Sequence, residues 1–411
     1  MNQAFIYDAV RTPFGKSGGA LAGLRPDDLA AHVIQVSLSR VPKLDPALID
    51  EVILGNANGA GEENRNVARM ATLLAGLPTS IPGTTVNRLC GSSLDAAIIA
   101  ARQIGVGDAE VVLVGGTESM SRAPWVVPRN SESTGGDDPG LISTALGWRL
   151  VNPKMPSEWT VSLGEATEQL REKHGISRER QDAFAARSHH LADSAWDNGF
   201  FDDLVTTIPG SGLTRDESIR PSSTVERLAT LGTVFRPTGP GPSAGTITAG
   251  NASPLTDGAS AAFLGSESAA DLLGIPPVAR IAGRGAAAVD PQDFGIAPVE
   301  AANRALAQAG VAWSQVGAVE INEAFAAQSL ACIDEWDIDP MIVNQHGGAL
   351  AIGHPLGASG TRILGTLARS LQASGERWGV AAICIGVGQG LAVVLENVSS
   401  RQTPAKRVGT C

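Results

Sequence analysis

Two thiols, an imidazole and a carboxamide, spread over nearly 300 residues, could together attack a carbonyl carbon and move protons. Cys90 lies in "TTVNRLCGSSLDAAIIAARQIG" (84–105), between an apolar, β-branched lead-in and a run of small residues. It is either a packed core thiol or a sulfur nucleophile. A helix beginning near Gly91 would set the sulfur beside unsatisfied backbone N–H groups and a positive dipole end. Both favour thiolate and predict a lowered pKa. His354, in "NQHGGALAIGHPLGASGTR" (344–362), is wedged between Gly353 and Pro355, and the proline restricts its backbone. A neutral imidazole there could take the Cys90 proton. His346, in the same run, is either a second base or a structural hydrogen-bonding residue, and the structural role is the simpler.

Cys384 ends an apolar run in "CIGVGQG" (384–390), ahead of three alternating glycines. Glycines so placed expose N–H groups that could stabilise an oxyanion. Cys384 is either strand-end packing or a thiol that exchanges a proton with carbon or sulfur. Asn322, in "NEAF" (322–325), is either a donor to the site or a cap for the helix after it. Cys332, among small and apolar residues at helical spacing, reads as core. Cys411 ends a polar tail that reads as disordered. No Cys-x-x-Cys pair supports a metal or a disulfide framework.

The elements that must hold these groups read as α/β. Short apolar runs alternate with Ala-rich helical patterns. "VILGNA" (52–57) and "VEINEA" (319–324) both read as a strand running into an asparagine turn. Asn56 precedes Cys90 by 34 residues and Asn322 precedes His354 by 32. Each reactive residue is followed by a small-residue helix and then an apolar strand, "AEVVLVGG" or "VAAICIGVGQG". A period this long points to a duplicated domain. Residues 1–120 with 251–275 form the first half, and 276–398 the second. Residues 121–250 form an excursion, including the polar loop "PRNSESTGGDDPG" (128–140) and a Ser177-capped helix. Residues 399–411 form the tail.

The 411 residues carry a net charge of −11, with 43% apolar and 18% charged side chains. That balance is globular, and it argues against a general nucleic-acid binder. The opening "MNQAFIYDAVRTPFGKSGG" lacks signal-peptide order, and no apolar run approaches membrane-spanning length. A cytoplasmic protein is expected.

The sequence resembles the thiolases, the acetyl-CoA C-acyltransferases, along nearly its whole length. "VNRLCGSSLDA", "GGTESMS", "GTITAGNAS", "NEAFAAQ", "GGALAIGHPLGASGTR" and "CIGVGQG" carry the resemblance in order and spacing. It implies two α/β halves forming a five-layered α-β-α-β-α sandwich, with residues 121–250 as a loop domain covering CoA. It implies Cys90 as the acylated nucleophile, His354 as its base and Cys384 as the acid/base at the substrate α-carbon or the CoA thiol. One oxyanion hole would be His354 with a water held by Asn322, the other the N–H groups of Cys90 and Gly386. Ser253 matches the pantetheine-contacting serine. Arg220 falls near the expected adenine contact, and Phe294 where an acyl-pocket methionine is usual. His346 has no catalytic counterpart. Coenzyme A is then a co-substrate, with no permanently bound cofactor or metal, and a homodimer or homotetramer is expected.

Three departures stand out. Ser93 replaces a usual glycine and would narrow the cleft. Val387 stands where glycine is commonest, and "SLGEATEQL" (162–170) only approximates a CoA-loop segment. "GAGEENRNVARMATLLAGLP", "ESMSRAPW" and "LGWRLVNPKM" look like the 3-oxoadipyl-CoA thiolases of aromatic-compound breakdown. A terminal carboxylate on that substrate needs a cationic or N–H-rich pocket end. Arg65, Arg88, Arg122, Arg129 and His346 are candidates, each arginine having the alternative of pairing with a nearby acid. General 3-ketoacyl-CoA or acetoacetyl-CoA thiolysis is the alternative activity. More remote are a ketosynthase-like condensing enzyme and a non-catalytic CoA- or lipid-binding protein.

Overall fold

The computed structural model describes residues 2–128, 140–239, 241 and 243–398. Arg129, most of the 128–140 loop and the 399–411 tail with Cys411 lie outside the described residues. Every position of Val111–Ser119, Thr256–Gly265 and Trp378–Ile385 is buried, the first and last being rich in Val or Ile and the second in Ala and Gly. Strands covered on both faces favour apolar and small residues, and the polar ones here, such as Asp257, are hydrogen-bonded.

One mixed sheet threads the molecule. Its order is Val316–Ile321, Trp378–Ile385, Gln389–Asn397, Ala279–Ala288, Phe5–Arg11, Thr256–Gly265, Val111–Ser119, Glu51–Gly55 and Gly83–Val86. The duplication is visible in this order. In the first half the opening strand Phe5–Arg11 pairs antiparallel with the last strand, Thr256–Gly265. That strand pairs antiparallel with Val111–Ser119, which runs parallel to Glu51–Gly55, itself parallel to Gly83–Val86. The second half repeats each step: Ala279–Ala288 with Gln389–Asn397, then Trp378–Ile385, then Val316–Ile321. A single parallel bridge, Val319 to Val343, stands where the fifth strand would be. The halves join edge to edge through Phe5 and Ile6 opposite Arg280 and Ala279.

The helices Ser92–Val106 and Ser359–Ser374 pack on each other and on strands of both halves, forming the middle layer. The first is buried on most of its circumference, which its Ala and Ser content permits at close backbone approach. Both end at left-handed glycines, Gly107 (φ 86°) and Gly375 (φ 75°). Helices Pro26–Arg40 and Val67–Leu74 cover the outer face of the first half, and Ala297–Ala309 and Ala326–Trp336 that of the second. The result is the five-layered sandwich. The seam between halves is tight enough to require glycine: a Cβ on Gly357 would meet the Thr117 and Gly55 carbonyls, and one on Gly360 the Leu94 amide. Helices Leu163–Lys173 and Arg178–Asp197 of the excursion share the outer core of the second half. Among the described residues no helix is long and apolar enough to cross a membrane.

Candidate active site

Cys90 follows the strand Gly83–Val86 through a clamped turn. Leu89 is held left-handed at φ 45°, a conformation costing a non-glycine residue about 1–3 kcal/mol. Asn87 Oδ1 accepts the Leu89 N–H at 3.0 Å. Ser92 Oγ accepts the Arg88 N–H at 2.9 Å and donates to the Leu89 carbonyl at 2.6 Å. The helix then starts at Ser92 with Gly91 as N-cap, so the sulfur does sit at its N-terminus. The backbone N–H groups of Gly386 and of Cys90 itself face the thiol.

The expected lowered pKa is not found. Burial pushes the Cys90 thiol up to about 11, outweighing those two N–H groups, with Glu118 adding to the rise. Cys90 is therefore a protonated thiol at neutral pH.

His354 lines a chamber together with Cys90. Its backbone leaves the short helix Ala349–Ile352 through Gly353 (φ 110°), and its N–H donates to Thr256 Oγ1 at 3.1 Å. His354 Nδ1 lies 2.6 Å from Ser359 Oγ, and that hydroxyl donates its one hydrogen to the Pro355 carbonyl at 2.9 Å. The hydroxyl must then accept from Nδ1–H, which leaves the lone pair on Nε2. Burial, helped by the Arg362 charge, pushes the imidazole down to about 3, so it is neutral and able to accept.

Asn322 is not a helix cap. Phe325 is the N-cap of Ala326–Trp336, and the Asn322 Oδ1 accepts from Arg362 Nη2 at 3.0 Å. Its Nδ2 lies 3.4 and 3.3 Å from the two His354 ring nitrogens. Near-equal distances set the amide against the ring rather than on one lone pair. Arg362 is itself buried beside Glu320, 3.6 Å away. Cys384, 1% exposed at the end of Trp378–Ile385, has its thiol pushed well above the ordinary range by burial, with Cys90 and Cys332 contributing. Cys332 is core, its Sγ 3.2 Å from the Gly295 carbonyl.

Two connected chambers meet at Cys90. The first, about 180 Å³, is lined by Cys90, His354, Cys384, Ser253, Phe294 and Phe235 among others. The second, about 270 Å³, is lined mainly by Leu89, Met120, Leu146, Trp148, Leu356 and Val387, with Glu118 and Arg149 as its charged residues. Gly386 borders the second chamber, and Val387 beside it is left-handed at φ 68°.

Other expected positions fall elsewhere. Ser93 does not narrow the cleft: it is fully buried, and its Oγ accepts the Thr361 N–H at 3.0 Å across the seam between halves. Its place on the helix face toward the second half turns it away from the cavity. Arg88 pairs with Asp95 at 2.8 Å and Arg122 with Glu62 at 2.5 Å, as the bland alternative had it. Arg65 is exposed, His346 stacks on Phe200 at 3.4 Å, and neither lines a chamber. Arg220 is exposed beside His189, whose Nδ1 accepts the Arg220 backbone N–H. Arg149 is the arginine lining the second chamber, and nothing in its local sequence set it apart from the other arginines.

Glu118 was also missed, although a carboxylate in the otherwise uncharged strand Val111–Ser119 marks it. It is buried and accepts from the N–H groups of Ala57, Asn58 and Gly357 at 2.9, 3.1 and 2.9 Å. It thereby ties the asparagine turn of one half to the His354 loop of the other.

The family model described as "Thiolase, N-terminal domain" matches residues 4–268, and "Thiolase, C-terminal domain" matches 275–397. A protein of Escherichia coli named beta-ketoadipyl-CoA thiolase is 45% identical over 408 residues, covering 97% of this chain and 100% of the relative. One of that name from Pseudomonas putida is 46% identical over 407 residues, with the same shares covered. Human mitochondrial 3-ketoacyl-CoA thiolase, solved in complex with CoA, superposes with a TM-score of 0.88 at 38% identity, covering 97% of this chain and 98% of that one.

Proposed function

The chain belongs to the thiolase family, and from that premise we propose that it thiolyses 3-oxoadipyl-CoA to succinyl-CoA and acetyl-CoA through an acyl-Cys90 thioester. The observation that carries the reading is the meeting of two protonated thiols and one neutral imidazole on a single chamber beside Ser253. The substrate assignment is supported by relatives bearing the beta-ketoadipyl-CoA name at 43–46% identity over nearly the full chain.

As substrate docks, the Cys90 proton passes to His354 Nε2 and the sulfur bonds to C3 of the 3-oxoacyl chain. The carbonyl electron pair moves to oxygen, which the N–H groups of Cys90 and Gly386 receive. Losing one such donor typically costs roughly 3–4 kcal/mol in the barrier. The C2–C3 bond then breaks, its electron pair leaving with acetyl-CoA as an enolate. The enolate oxygen is met by His354, now carrying a proton on Nε2, and by a water on Asn322. Cys384, held as a thiol by burial, gives its proton to C2.

In the second half-reaction the Cys384 thiolate takes the proton of CoA. The CoA sulfur attacks the acyl carbon, and Cys90 leaves and recovers its proton from His354. A thiol suits both steps because it attacks well and leaves well. Ser253 contacts the pantetheine arm in the first chamber, and Phe294 narrows that chamber near the reacting carbon.

The test is CoA-dependent conversion of 3-oxoadipyl-CoA, followed by mass spectrometry of both products and of acylated protein. Wild type is expected to yield both acyl-CoA products and a transient acyl mass on Cys90. Cys90→Ala should show neither, and a Cys90→Ala protein that still thiolyses would overturn the mechanism.

A further inference from the structure

The second chamber contains a feature that the thiolase chemistry does not use. Arg149 lies on a wall otherwise built largely of Leu89, Met120, Leu146, Trp148 and Val387. Its Nη1 donates to Asn58 Oδ1 and the Thr144 carbonyl, both at 3.2 Å, and Nη2 donates to the Asn58 carbonyl at 3.3 Å. All three acceptors are neutral, and among the described residues Arg149 forms no ion pair. In a chain with 42 acidic residues and 31 basic ones, a half-buried guanidinium facing a cavity without a carboxylate partner is a charge kept for a ligand.

Glu118 borders the same chamber, but it does not serve as that anion. Its carboxylate oxygens are engaged by the N–H groups of Ala57, Asn58 and Gly357 and by Asn56 Nδ2 at 3.4 Å. Arg149 is held by the same Asn58, so one asparagine turn holds both groups in place. The guanidinium fork is thus held in place while its remaining N–H groups stay available for a planar, two-oxygen partner.

We infer that Arg149 receives the free carboxylate at the far end of the acyl chain, so that the second chamber selects dicarboxylic 3-oxoacyl-CoA esters over uncharged ones of equal length. This rests on the thiolase reading above, in which Cys90 retains the acyl group and Ser253 marks the CoA side. Leu89, Met120 and Leu146 share that chamber with Arg149, so the methylenes would lie against apolar carbon and the carboxylate would meet the arginine. A chain ending in methyl would leave the guanidinium facing apolar carbon.

The test compares 3-oxoadipyl-CoA with 3-oxohexanoyl-CoA, which has the same six-carbon acyl chain with a methyl in place of the carboxylate. The readout is the ratio of kcat/KM values in wild type, Arg149→Ala and Arg149→Lys. Wild type is expected to favour 3-oxoadipyl-CoA at least tenfold. Arg149→Ala should lower kcat/KM for that substrate by at least tenfold, chiefly through KM, while 3-oxohexanoyl-CoA stays within about threefold. Arg149→Lys should fall between, since the charge remains and the fork is lost. The uncharged substrate also reports that the Asn58 turn still folds. An unchanged ratio in Arg149→Ala would overturn the inference with the substrate assignment intact, and so would an equal fall for both substrates or a raised KM for CoA alone. Equal use of both substrates by wild type would instead sink the assignment of a charged chain, and the inference with it, while thiolysis itself stood.

Discussion

Ser359→Ala tests whether the proton-accepting nitrogen of His354 is set by its neighbours. In the wild type one hydroxyl hydrogen is committed to the Pro355 carbonyl at 2.9 Å, so Oγ accepts from Nδ1–H at 2.6 Å. Alanine removes that acceptor from a site that is fully buried. The ring then either keeps an orphaned N–H or changes tautomer, which would put the proton on Nε2 and block acceptance from Cys90. A buried donor without a partner costs about 1–3 kcal/mol, equivalent to a roughly 5- to 150-fold slower acylation if the penalty falls on that step. Ser359 lines neither chamber, so KM for the 3-oxoacyl-CoA should hold within about twofold. Rapid quenching followed by intact-mass detection of acyl-Cys90 measures the acylation rate directly, and a urea melt verifies folding. A folded Ser359→Ala protein that acylates within twofold of wild type would refute the tautomer argument.

Ser93→Gly should weaken folding by about 2–4 kcal/mol, because a buried Thr361 N–H loses its acceptor and a helix gains glycine. Its KM for 3-oxoacyl-CoA should not move, and a markedly lowered KM would show that Ser93 does shape the cleft. His346 provides a pH test: burial depresses its folded pKa from 6.5 to about 4. The unfolded chain binds that proton first, so the contribution of neutral His346 is full above about pH 6.5 and is lost as pH falls toward about 4. Between pH 7 and 4.5 wild type should lose about 2 kcal/mol relative to His346→Gln, allowing for solvent screening at the partly open ring. Parallel denaturation curves for the two proteins would show that the histidine is not desolvated when folded.

The repeat of strand, asparagine turn, reactive residue, small-residue helix and apolar strand was legible along the chain, and the sheet order repeats with it. Legibility followed from periodicity and punctuation: continuous β-branched runs, Ala-rich helices, and glycines at left-handed ends such as Gly107 and Gly375. Cys90, His354 and Cys384 were marked by residue type against unusual neighbours, and all three line one chamber. Arg65, Arg88 and Arg122 line neither chamber. Whether an arginine is paired depends on acids distant in sequence, as Arg122 with Glu62 shows.

The protonation states were beyond the sequence for the same reason. A helix N-terminus beside Cys90 could be read locally and argues for a thiolate. The layers that close over it raise the thiol to about 11 and lower His354 to about 3. Local order could likewise show that Ser93 replaces a usual small residue, but not that its hydroxyl would face Thr361 268 residues away. The sequence by itself determined the elements, their duplication and the chemical types available. Tertiary structure decided which charges are partnered, which thiols stay protonated and which wall an arginine faces, because desolvation and pairing depend on groups brought together only when both halves close on the central helices.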